Sequence, residues 1–123
     1  MDLKVSEIGN PHPNTKLYCR LRHVGSQWDT VGFTLEEFPG CCGVLISNTA
    51  WIANSKRGMG LGTIMNNLRI GLARWFGYGC LMCTSDRANL IQNRILDKND
   101  WKLIDVFKNP HTGHIIEIWK FNL

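Results

Sequence analysis

A chain of 123 residues, with 44% hydrophobic and 20% charged positions, has the size and balance of one folded domain over 1–123, which excludes a disordered or low-complexity protein. Its net charge of +4 is a mild excess; it suits a phosphate-bearing ligand and supports a nucleic-acid partner only weakly. No apolar run approaches the length that crosses a bilayer, and the start of the chain carries no apolar leader, so no membrane role is expected and a cytoplasmic location is the default.

In chain order, Gly9-Asn10-Pro11-His12-Pro13-Asn14 is expected as a loop, because two prolines and a glycine oppose regular pairing. Lys16 to Val24 alternates, with Leu17, Cys19 and Leu21 on one side, and predicts a strand. A turn at Gly25-Ser26-Gln27 leads to a returning strand from Trp28 to Leu35, and Gly43 to Ala53 reads as a mostly buried third strand. After a glycine-rich loop, Leu61, Ile64, Met65, Leu68, Leu72, Trp75 and Phe76 recur at helical spacing, and Gly77-Tyr78-Gly79 ends that helix. Cys80 to Thr84 is a short strand, and Ser85-Asp86 offers capping for a second helix near Ala88 to Lys98. A hairpin closes the chain: Trp101 to Phe107, a turn at Asn109 to Gly113, then His114 to Phe121. The order strand-strand-strand-helix-strand-helix-strand-strand predicts a mixed α/β (α+β) layer with one sheet and two helices.

Several residues invite chemistry but read better as structure. Five cysteines (Cys19, Cys41, Cys42, Cys80, Cys83) in a reducing compartment are expected as free thiols. Cys80 and Cys83 lie three apart on a strand and so face opposite sides, with no second pair to complete a zinc set; no metal site is expected. His12, His111 and His114 fall in or beside turns. Trp75, Phe76, Trp101, Phe107, Trp119, Phe121 and Leu96 are expected in the core.

The loop Arg57-Gly58-Met59-Gly60-Leu61-Gly62 lies between a strand and a helix. The first N–H groups of a helix have no internal partners, and its positive dipole end favours an anion. Glycines let the backbone approach a phosphate closely, and Arg57 adds charged donors. A pyrophosphate therefore suits this loop, although such turns also serve as plain connections. It is not a Walker loop, since Gly62 is followed by Thr63-Ile64, nor a dinucleotide fingerprint, since its glycines are spaced by two.

In this loop the chain resembles the GNAT superfamily of N-acetyltransferases. Ile52 ends a strand, four residues follow, and Arg57 to Gly62 fit the family's Arg/Gln-x-x-Gly-x-Gly/Ala pattern; Asn89, Lys98 and Trp101 fit its second signature. The likeness runs from about Val44 to Phe121. It implies a mostly antiparallel central sheet with acetyl-CoA as co-substrate. Ala50, Trp51 and Ile52 would pair with the pantetheine arm, and the Ala50 N–H would polarise the acetyl carbonyl. Arg57, Gly58, Met59, Gly60, Leu61, Gly62 and Thr63 would hold the pyrophosphate, and Asn89 would reach the pantetheine. The sheet would splay between the Gly43–Ala53 and Cys80–Thr84 strands to admit it.

The chain departs from the family at three points. The position of a general-acid Tyr is Leu96, and that of a general-base Glu is Thr84. Asp29, Glu36, Glu37, His23 and Asp86 are the candidate substitutes for the base. The strand and helices that usually precede the first hairpin and wall the acceptor site have little room before Lys16. The resemblance thus implies an N-acetyltransferase acting on a primary amine, presented by a protein or other macromolecule at an open groove. The alternative is a non-catalytic protein of this fold that binds an acyl-CoA or inhibits a partner.

Overall fold

The computed structural model describes residues 3–12, 16–53 and 60–123. Strands β1 (Leu3–His12), β2 (Lys16–His23), β3 (Val31–Phe38) and β4 (Cys41–Ile52) are followed by helix α1 (Leu61–Trp75), strand β5 (Cys80–Asp86), helix α2 (Leu90–Lys98) and strands β6 (Lys102–Lys108) and β7 (Ile115–Asn122). They form one seven-stranded sheet in the order β1-β2-β3-β4-β5-β7-β6. Only the β4–β5 pair is parallel. The mixed α+β class and the mostly antiparallel sheet agree with the expectation.

Period-two burial builds the sheet's inner face. Val31, Phe33 and Leu35 of β3, Leu81 and Cys83 of β5, and Trp119 of β7 are buried and pack in one core with Leu61, Met65, Ile70 and Ala73 of α1. On the other face Tyr18, Thr34, Ile46 and Met82 are half-buried and Thr84 is exposed. Helix α1 stops in a Schellman motif: Gly77 takes φ 81°, its N–H donates to Arg74 O, and Tyr78 N–H donates to Ala73 O.

The structure corrects four expectations. Residues 9–12 belong to β1 rather than to a loop. The strand is the sheet's edge, and Asn10 and Pro11 fall in a register break between Gly9 and His12, so the missing proline N–H costs no ladder bond. Pro13 and Asn14 lie outside the described residues. The returning strand, β3, begins at Val31 rather than at Trp28, which is 80% exposed in the preceding turn. Helix α2 is capped by Asn89, whose Oδ1 accepts from Gln92 N–H at 3.2 Å; Asp86 instead accepts from Ala88 N–H in the turn before it.

Finally, Trp75 and Phe76 are not core: they are 83% and 46% exposed. Trp75 lies two residues past Ala73, about 200° around the helix from the buried stripe. Phe107 is also exposed, on the outer edge strand β6, whereas Trp101, Trp119 and Leu96 are buried as expected. Cys19, Cys41, Cys80 and Cys83 are free thiols, and no cluster of metal-ligating side chains occurs among the described residues. No described helix is long and apolar enough to cross a membrane.

Candidate functional site

The parallel pairing of β4 with β5 covers only Val44–Ser47 against Cys80–Cys83. Its end coincides with a bulge. Thr34 faces Thr49 across β3–β4 but the next pair is Leu35 with Ser47, so Asn48 is an extra residue in β4. A bulge bends its strand and increases its twist. Beyond Ser47, β4 stays with β3 and β5 stays with β7, and the sheet opens as a V.

The backbone of β4 beyond the bulge is turned toward that opening. Ala53 N–H donates to Thr30 O at 2.8 Å, in the same register that sets Trp51 opposite Gly32 and Ala50 opposite Phe33. In an antiparallel pair, successive residues alternately spend their N–H and C=O on the partner strand and direct them away. Ala53 and Trp51 spend theirs on β3. Ala50 and Ile52 direct theirs to the open side.

The N-terminus of α1 closes the mouth of the V. Its N-cap, Gly60, takes a left-handed φ of 77° and supplies no side-chain cap, and the first turn carries no acidic residue. The N–H groups of Leu61, Gly62 and Thr63 and the positive dipole end are thus left for an anion. Gly62 also sets the helix packing: a Cβ there would meet Ile95 Cδ1 of α2 at 2.7 Å.

A cavity of about 590 Å³ fills the V. Its walls bring together every described residue of the predicted site: Ala50, Trp51 and Ile52 from β4, Gly60, Leu61, Gly62 and Thr63 from the start of α1, and Asn89 at the start of α2. Arg57, Gly58 and Met59 lie outside the described residues. Asn89 commits its Oδ1 to capping α2, leaving the amide Nδ2 for anything in the cavity.

Two residues that sequence reasoning did not assign to the site form its closed end. Arg69 of α1 is 1% exposed; its Nη1 donates to Ser47 Oγ at 3.0 Å, and its Cζ lies 5.5 Å from the centroid of the Trp101 ring. Burial pulls its pKa below the ordinary value. Cys83, 3% exposed, faces it, and burial pushes the thiol up to about 11, opposed by the neighbouring Arg69 charge. Since the thiolate is the reactive form, iodoacetamide at pH 8 should label exposed Cys41 and spare Cys83, as read by peptide mass mapping; fast labelling of Cys83 would contradict this burial. A periodicity argument could have flagged Arg69, because it occupies the i+4 position from buried Met65 on the apolar stripe.

Arg69 and Cys83 are the only titratable side chains among the described cavity walls. Thr84 lines the cavity, but Leu96 is fully buried in the core and away from it. None of the candidate substitute bases lines it either. Asp29 pairs with Arg22, Glu37 accepts from Tyr78 Oη at 2.7 Å, His23 bonds Thr30 Oγ1, and Asp86 bonds His114 Nδ1. Glu36 sits on β3, outside the cavity.

By sequence, neither a comparison with family models nor one with curated proteins gives a match. By structure the fold has clear counterparts. An IAA acetyltransferase from Bacillus cereus superposes with a TM-score of 0.79 at 13% identity, over 89% of this chain and 79% of its own. A protein of Desulfovibrio desulfuricans assigned as an acetyltransferase of the GNAT family gives 0.76 at 14%, over 88% and 69%. The chain has the GNAT acetyltransferase fold. A Bacillus subtilis acetyltransferase solved with CoA matches nearly end to end, with 99% of this chain on 98% of that one, a TM-score of 0.76 and 10% identity. The GNAT fold is therefore present here at the length of a compact relative, while identities this low speak for the fold alone.

Proposed function

We propose that the chain binds acetyl-CoA in the V between β4 and β5 and transfers its acetyl group to a primary amine. The observation that carries this reading is the convergence of an uncapped, acid-free helix N-terminus with outward-facing N–H and C=O groups on β4, in one cavity. The α1 N-terminus with Arg57, Gly58 and Met59 would hold the pyrophosphate. Ile52 and Ala50 would extend the sheet with the two amides of the pantetheine arm, as an added strand does. The Ala50 N–H would then polarise the thioester carbonyl, and Asn89 would steady the arm. The Bacillus subtilis relative was solved with CoA, which supports the cofactor class.

In the reaction the amine nitrogen attacks the thioester carbonyl, the C–N bond forms, the C–S bond breaks, and the nitrogen loses a proton as the thiol leaves. No carboxylate or histidine among the described cavity walls takes that proton. Deprotonating a lysine of pKa ~10.4 at pH 7.4 costs about 4 kcal/mol, whereas an α-amine near 7.8 costs only a few tenths. Positioning contributes several kcal/mol, so an amine of low pKa is the acceptor this site serves best. Only residues 13–15 join β1 to β2, which leaves no room for a helix between them and favours an acceptor group on a protein or other macromolecule.

A second reading, acyl-CoA binding without turnover, is favoured by Leu96 and Thr84 standing where the family's acid and base would be. Labelled acetyl-CoA incubated with the protein and a cell extract separates the two. Label entering protein, RNA or small amines supports transfer. A raised melting temperature with no transfer supports binding alone, and no thermal response to acetyl-CoA sinks both.

A further inference from the structure

Helix α1 carries two apolar stripes where a surface helix needs one. The first faces the sheet and is buried through Leu61, Met65, Ile70 and Ala73. The second runs through Ile64, Leu68, Gly71 and Trp75. Its spacing of four, three and four residues is the repeat of a helix–helix seam. Ile64 and Leu68 are only half-buried, and Trp75 is more exposed than any other large apolar side chain among the described residues. A Cβ at Gly71 would meet nothing within 4 Å, so no described element lies over this side of the helix.

The same face is poor in charge. Of the exposed α1 residues Thr63, Asn67, Gly71, Arg74 and Trp75, only Arg74 is charged, and its guanidinium sits over the Phe121 ring at 5.6 Å, drawn toward β7. A solvated helix face usually carries charged side chains, whereas the core of a protein interface is depleted of them and enriched in Trp.

The stripe is also complementary to itself. Against a second α1 running the opposite way, its spacing reads the same in both directions, as a two-fold contact requires. Ile64 then lies opposite the partner's Trp75, and Leu68 opposite the partner's Gly71. The glycine makes room for the leucine and lets the helix axes approach to about 8 Å. The two copies of Arg74 stand about 13 Å apart along the axis, so like charges do not meet. The exposed area points the same way. The chain exposes 7651 Å², whereas a compact monomer of 14.0 kDa exposes about 6,700 Å². The excess of about 950 Å² is close to the ~800 Å² that each partner of a standard interface buries.

We propose that the chain forms a two-fold dimer through α1, with Ile64, Leu68, Gly71 and Trp75 as the seam and Trp75 as its anchor. None of the four lines the cavity, so both copies keep their sites open, and the dimer forms with or without coenzyme A.

Sedimentation equilibrium of the wild type, Trp75→Lys and Gly71→Gln tests this, with circular dichroism to follow folding. Both substitutions fall on exposed positions, and Gly71→Gln replaces a poor helix former with a good one, so both variants should fold. The wild type should sediment at twice the 14.0 kDa chain mass. Trp75→Lys should raise the dissociation constant of the dimer on the order of a hundredfold, and Gly71→Gln should weaken it in the same direction by crowding Leu68. A wild type that stays monomeric at roughly 100 μM overturns the proposal, and its capture by lipid vesicles or by another protein would then name a different occupant for this face. A dimer that both variants retain also overturns it, by placing the contact elsewhere.

Discussion

Trp101→Ala is expected to lower stability by about 3–5 kcal/mol, the usual loss for an excised core aromatic. Trp101 is 2% exposed although it lies just before β6, a strand that is largely exposed. Its indole N–H donates to Asn66 Oδ1 at 2.8 Å, and its ring packs against Phe121 at 5.7 Å and beneath Arg69. Deleting it leaves a cavity and removes the partner that the Asn66 side chain has among the described residues, where its Nδ2 is already unsatisfied. Total stabilities of domains this size run at about 5–15 kcal/mol, so the variant should be partly unfolded near 37 °C. Urea unfolding of the wild type, Trp101→Phe and Trp101→Ala measures this, with Trp101→Phe falling between the other two. A Trp101→Ala loss below about 1 kcal/mol would show that the residue is not the pin between α1 and the terminal hairpin.

Gly60→Glu is expected to remove the response to acetyl-CoA while leaving a folded protein. Two effects add. The left-handed φ of 77° strains any residue with a Cβ, by about 1–2 kcal/mol. A carboxylate also enters the site where a pyrophosphate would lie. Two like charges ~4 Å apart repel by about 4 kcal/mol at an effective dielectric of 20, which alone weakens binding more than a hundredfold. At a concentration 100 times its Kd, acetyl-CoA should raise the wild-type melting temperature by about 10 °C. The variant should melt a few degrees lower and show no shift at the same concentration. A full shift in the variant would move the phosphate site away from the α1 N-terminus.

Much of this fold was readable from periodicity and punctuation. The α1 stripe, the Gly77 stop and the terminal hairpin each carry a local signal strong enough to survive tertiary context. Strand β1 was not readable, because what makes Pro11 tolerable is its place on the sheet's edge, and edges are a property of the whole sheet. Trp75 misled for a related reason: its spacing fits the helix, but the buried stripe turns away one step earlier. Apart from Asn89 at the start of α2, the predicted site residues that the structure describes converge because their spacing along the chain reflects one strand-loop-helix unit. Arg69 and Ser47 escaped notice because their meeting depends on the Asn48 bulge and on how α1 lies across it. The polar run Ser47-Asn48-Thr49 inside an otherwise apolar strand was the one local trace of that bulge.

The short β4–β5 joint has a bearing on how the chain folds. On one side of it, β1 to β4 form a meander in which every strand pairs with its sequence neighbour; on the other, β6 and β7 form a hairpin beside β5. Both sets of contacts close short loops and can form early. The parallel joint spans only four residue pairs and must wait for α1 to cross over the sheet. Loop-closure entropy therefore falls on two pairings, β5 with β7 at 30 to 42 residues apart in sequence and the seam where the cavity lies at 36. A ligand bridging that seam would act as a clasp between the two sides of the sheet, so the cavity proposed to hold the cofactor lies at the sheet's shortest joint.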